Sequence, residues 1–133
     1  MSLLLDGLRI LILEDEVLIA MDVEQLCRES GAEDVLTART LDEAATHDEV
    51  AKFRFDAAIL DVMLDGQSTF PFAEVLRKRE LPFIFASGYT DLDELLSQFP
   101  DVTVVGKPYA GEVLIHALAE ACGRLPSTQG VEA

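Results

Sequence analysis

Five short apolar runs, each followed by a stretch of helical period, set the tightest limit on how this chain can fold. The runs are Leu8–Leu13, Asp34–Ala38, Ala57–Leu60, Pro82–Ala86 and Val102–Val105. All but the second are almost continuously apolar, as strands covered on both faces are. Between them the spacing of apolar residues becomes helical. Ile19, Val23, Leu26 and Cys27 form one stripe, and Gly31 is placed to end that helix. Thr40 with Glu43 reads as a capping box opening a second. Phe72, Val75 and Leu76 mark a third, closed off by Pro82. Leu92, Leu95, Leu96 and Phe99 mark a fourth, stopped by Pro100. Val113, Leu114, Ala117, Leu118 and Ala121 mark a fifth, ending near Gly123. The repeated order predicts an α/β fold. It is a (βα)5, doubly wound, five-stranded parallel sheet with helices on both faces. One domain is expected over residues 1–125, with a loose polar tail over 126–133.

Charge and composition remove several functions. A formal net charge of -15 on 133 residues repels nucleic-acid phosphates and anionic membrane surfaces. Half of the residues are apolar, which suits a soluble globular domain. The longest uncharged stretch, Leu81 to Thr90, falls short of the roughly 20 apolar residues that a bilayer helix needs. No basic segment precedes an apolar run at the start, so no secretory signal is expected. Cys27 and Cys122 sit in helical patterns and read as small core residues, which fits a reducing cytoplasm.

In an open parallel sheet, ligands bind beyond the carboxyl ends of the strands. The first strand ends in Glu14-Asp15-Glu16, the third in Asp61, the fourth in Ser87-Gly88 and the fifth in Gly106-Lys107-Pro108. Four strand ends thus deliver carboxylates, a hydroxyl and a lysine to one edge. Carboxylates placed together favour a divalent cation, and magnesium takes one or two of them with phosphate oxygens. Asp15 and Asp61 are the expected direct ligands, with Glu14 acting directly or through water. Asp61 is then placed to attack phosphorus as a nucleophile. Phosphoryl transfer needs positioning and charge neutralisation more than covalent help. Lys107 supplies a cation, Ser87 a hydrogen bond, and Gly88 leaves the path to Asp61 open.

These residues, in this order, resemble the receiver family of two-component response regulators. The resemblance runs from the first strand to the fifth helix. It implies the flavodoxin-like strand order 2-1-3-4-5 and a magnesium site, which manganese would also fill. It adds the backbone carbonyl of Met63 to Glu14, Asp15 and Asp61 as a metal ligand. It implies phosphotransfer from a phosphohistidine on a histidine kinase or phosphotransfer protein, hydrolysis of the aspartyl phosphate, and a switch in the face around the fourth and fifth helices. By this reading the chain is a phosphoacceptor with self-catalysed chemistry, not an enzyme acting on a separate substrate. It would be a stand-alone receiver that signals through a downstream protein or a relay, with a homodimer through the fourth and fifth helices left open. Pro82-Phe83-Ile84-Phe85-Ala86-Ser87-Gly88-Tyr89 is also similar to the Pro-Phe-x-Phe-Ala-Thr-Gly-Tyr signature of single-domain alphaproteobacterial receivers tied to general stress signalling. Ser87 stands where that signature has threonine.

One departure bears on switching. Many receivers carry an aromatic residue three positions before the lysine, and here that position is Val104. Tyr89 and Tyr109 are the candidate substitutes. Val104 also keeps open a binding module that works without phosphorylation, although such a module has no chemical need of Glu14, Asp15, Asp61, Ser87 and Lys107 together. An aspartate-nucleophile phosphatase would carry a second Asp two residues after the nucleophile, where this chain has Met63. A nucleotide or flavin binder would want a Gly- or Ser/Thr-rich loop after the first strand. Elsewhere, Asp65 and Gly66 read as a turn. His47 and His116 read as solvent-facing, and Arg77-Lys78-Arg79 as a basic helix end. Phe53, Phe83 and Phe85 read as core, whereas Phe70, Phe72, Tyr89 and Tyr109 read as candidates for a partner site.

Overall fold

The computed structural model describes residues 3–46, 54–87, 92–106 and 111–124. Its elements are β1 (Arg9–Leu13), α1 (Val17–Glu29), β2 (Asp34–Ala38), α2 (Leu41–Thr46), β3 (Ala57–Asp61), β4 (Met63–Leu64), β5 (Gln67–Ser68), α3 (Phe70–Lys78), β6 (Phe83–Ser87), α4 (Leu92–Gln98), β7 (Val104–Gly106) and α5 (Gly111–Ala121). Five strands form one parallel sheet in the order β2-β1-β3-β6-β7. In terms of the five apolar runs this is the expected order 2-1-3-4-5. The hairpin β4–β5, set between β3 and α3, was not foreseen, because two-residue strands are too short to show alternation.

Strand alternation builds two cores from one sheet. Ile10, Ile12, Ala57, Ile59, Ile84 and Ala86 face one side, where α1 and α5 supply Val23, Cys27, Leu114 and Leu118. Leu11, Leu13, Ala58, Leu60, Phe83 and Phe85 face the other, packed by Ala44 of α2, Phe70, Ala73 and Leu76 of α3, and Leu95 of α4 with the adjoining Phe99. Successive residues thus bury on opposite sides, which is why the runs read as unbroken apolar stretches.

Several sequence expectations need adjustment. Helix α3 is turned so that Phe70, Ala73 and Leu76 face the sheet, while Val75 is exposed. Phe70 is therefore core and not part of a partner surface: its ring stands edge-on to Phe85 and Phe99, with centroids 5.8 and 5.2 Å apart. Leu96 and Val113 are also exposed. The Glu43 N–H donates to the Thr40 hydroxyl oxygen, as a capping box requires, but the Glu43 carboxylate accepts from the Arg39 N–H and not from the Thr40 N–H.

Helix α1 ends as Gly31 suggests: Gly31 has φ +99°, its N–H reaches the Arg28 carbonyl, and Ala32 N–H reaches Cys27. Helix α3 ends in the same motif with Glu80 at φ +59°, before Pro82 is reached. Cys27 and Cys122 are free thiols. His116 is exposed, while His47, Phe53, Gly88, Tyr89, Tyr109 and the expected tail over 126–133 lie outside the described residues. Among the described residues no helix is long and apolar enough to cross a membrane.

Candidate functional site

The parallel register brings the site together. Leu13 of β1 pairs with Leu60 of β3, so Glu14 and Asp61, one residue further along, leave the sheet side by side. Asp15 follows before α1 begins. Glu14, Asp15 and Asp61 each place one carboxylate oxygen within 4.8 Å of the others. Glu14 is buried, at 3% exposure, and Asp15 and Asp61 are half-buried.

Repulsion among these groups is offset by backbone donors. A Glu14 carboxylate oxygen accepts from Glu16 N–H at 3.1 Å, at the N-terminal end of α1, where the helix dipole favours negative charge. An Asp15 carboxylate oxygen accepts from Asp65 N–H at 2.9 Å. Asp65 and Gly66 do form the expected turn, with φ +51° and +80°, as the two-residue loop of the β4–β5 hairpin requires. The sequence did not show that this turn reaches Asp15.

Thr69 was also missed. It is fully buried, and its hydroxyl donates to the Asp61 carbonyl at 2.6 Å with the Val62 carbonyl 3.1 Å away. A threonine just before a helix, with Pro71 inside its first turn, signals an N-cap. Here the side chain makes no cap bond and turns to the end of β3 instead.

Three hard oxygen donors, one of them buried, suit a divalent cation such as magnesium. Met63 lies in β4, two residues past Asp61, with its side chain partly exposed. Ser87 ends β6 opposite Gly106 of β7, so these strands finish at the same edge. The Ser87 side chain and Lys107 lie outside what the structure describes. Val104 pairs with Phe85 and packs, half-buried, against the core on the Phe85 side.

The architecture has known counterparts. No family model matches the chain. The receiver domain of the response regulator PhyR from Erythrobacter litoralis superimposes with a TM-score of 0.75 at 29% identity, covering 95% of this chain and 98% of that one. The fold is that of a receiver domain. The anti-anti-sigma factor PhyR from Bartonella quintana matches at 27% identity and TM-score 0.71, over 86% of this chain and 47% of that one. In sequence, the transcriptional regulatory protein PdtaR of Mycobacterium tuberculosis is 32% identical over 127 residues, 93% of this chain. The chain spans 61% of the length of that relative. The likeness supports a response-regulator role.

Proposed function

We propose that this chain is a phosphoryl-accepting receiver in which the Asp61 carboxylate is the nucleophile. The observation that carries the reading is the convergence of Glu14, Asp15 and Asp61 within 4.8 Å at the carboxyl edge of a receiver-type sheet.

The donor class is a phosphohistidine on a kinase or phosphotransfer protein. One Asp61 carboxylate oxygen attacks phosphorus in line. The O–P bond forms as the N–P bond breaks, and the electron pair of that bond stays on the imidazole nitrogen, which takes up a proton. Hydrolysis later returns the carboxylate and releases inorganic phosphate. Glu14, Asp15, Asp61 and the Met63 carbonyl would hold a magnesium ion, with manganese an alternative. When bound, that cation supplies positive charge against the phosphoryl oxygens. Lys107 and the Ser87 hydroxyl are assigned further charge and hydrogen bonding to those oxygens. The name of the Bartonella relative, an anti-anti-sigma factor, supports a protein as the output partner.

The test is incubation with a small-molecule phosphodonor and magnesium, followed by intact-mass measurement. An adduct labile to alkali and to hydroxylamine is expected on the wild type and not on Asp61→Asn. A folded wild-type protein that gains no adduct would overturn the reading.

A further inference from the structure

We propose that the Val62–Thr69 segment is a positioning element for the cation site, acting on Asp61 through Thr69 and on Asp15 through the Asp65 backbone. The proposal rests on the cation reading above. Thr69 is 0% exposed and heads α3, yet its hydroxyl is directed away from the helix. It donates to the Asp61 carbonyl, and the Thr69 N–H donates to the Val62 carbonyl at 2.9 Å. One residue thus holds two successive carbonyls at the point where Asp61 leaves the strand. Rotating either peptide would leave a buried polar group without its partner.

The other end of the segment holds Asp15. Positive φ at both Asp65 and Gly66 folds the hairpin tip so that the Asp65 N–H meets the carboxylate. Mutual repulsion would otherwise drive the carboxylates apart. Groups that orient metal ligands in this way commonly alter metal affinity by about 10- to 100-fold. Cation affinity, and not only stability, therefore depends on a segment that contributes its effect through backbone and a hydroxyl.

Isothermal titration of the full chain with magnesium chloride tests this, with manganese binding followed by electron paramagnetic resonance as a second measure. Thr69→Val keeps the shape and removes the hydroxyl; its Kd is expected to rise about tenfold. Thr69→Ser is expected to recover most of the wild-type affinity. Gly66→Val strains the hairpin tip, where the backbone has φ +80° and an added Cβ meets nothing within 4 Å, and is also expected to weaken binding. Circular dichroism checks that each variant is folded. Wild-type affinity in folded Thr69→Val overturns the proposal; if Thr69→Val does not fold, wild-type affinity in Gly66→Val does so. Failure of Thr69→Ser to recover affinity also counts against it. Absence of saturable binding in the wild type would overturn the cation reading itself, and the positioning role with it.

Discussion

The backbone N–H of Asp65 donates a 2.9 Å hydrogen bond to an Asp15 carboxylate oxygen across a sequence separation of 50 residues. Asp65 thus acts at the acidic site through its backbone, while its own carboxylate lies on an exposed turn residue. With the Glu16 N–H on Glu14, it supplies part of the positive field in which three negative charges share a small volume.

Relieving that crowding should stabilise the cation-free protein. Glu14→Gln removes a charge at a position 3% exposed and keeps an oxygen to accept the Glu16 N–H. A gain of about 1 to 3 kcal/mol in chelator is expected from charges this close at an effective protein dielectric. Thermal melts with chelator and with magnesium check it. The variant should melt higher in chelator and gain less from magnesium. An unchanged or lower Tm in chelator would show that repulsion is not the dominant force on Glu14.

Two glycines with positive φ should respond differently to a methyl group. At Gly66, with φ +80°, an added Cβ meets nothing within 4 Å, so Gly66→Ala carries only the backbone penalty of about 1 kcal/mol. At Gly31, with φ +99°, the same Cβ comes within 3.0 Å of the Asp6 Cα. Backbone cannot step aside as a flexible side chain can, so Gly31→Ala is expected to lose about 2 kcal/mol or more. Urea unfolding of the two variants gives the comparison, and equal losses would contradict it.

The sheet was legible because each core strand buries both faces, leaving uninterrupted apolar runs such as Ile10–Leu13 and Phe83–Ala86. The acidic site was legible because the ends of those runs are known once the runs are. Rotation of α3 was not, since Phe70, Phe72, Val75 and Leu76 offer more apolar residues than one face can bury. Only the packing of Phe70 on Phe85 and Phe99 decides between them. Thr69 and Asp65 stayed hidden for another reason. Thr69 has the sequence signature of a helix cap, and Asp65 contributes a backbone N–H that every residue but proline carries.

The aromatic cluster should dominate stability on the α3–α4 side. Phe99 is fully buried, with ring centroids 5.2 Å from Phe70 and 5.3 Å from Phe85, and the Arg77 guanidinium lies 4.6 Å from its centroid. Phe99→Ala is expected to cost about 3–5 kcal/mol. Arg77→Gln is expected to cost about 0.5 kcal/mol, since that residue is partly exposed. Denaturant midpoints at constant m-value separate the two, and a loss under 1 kcal/mol for Phe99→Ala would mean that the site collapses around the deletion.

Burial of Cys27 should appear as a loss of stability in alkali. Its thiol is pushed up to about 12 from an ordinary 9.0, chiefly by desolvation and secondarily by the nearby Glu24 carboxylate. Below pH 9 the native and unfolded chains both hold this proton. From about 9 to about 12 the unfolded thiol loses it and the native one keeps it, so the unfolding free energy falls with rising pH. The contribution is about 1.4 kcal/mol per pH unit inside that window. Cys122, raised to about 11 in a half-buried position, adds a smaller effect of the same sign. Unfolding in urea at pH 8, 9.5 and 10.5 should therefore show a shallower decline for Cys27→Ala than for the wild type. Parallel declines for the two proteins would mean that the thiol is not desolvated in the native state.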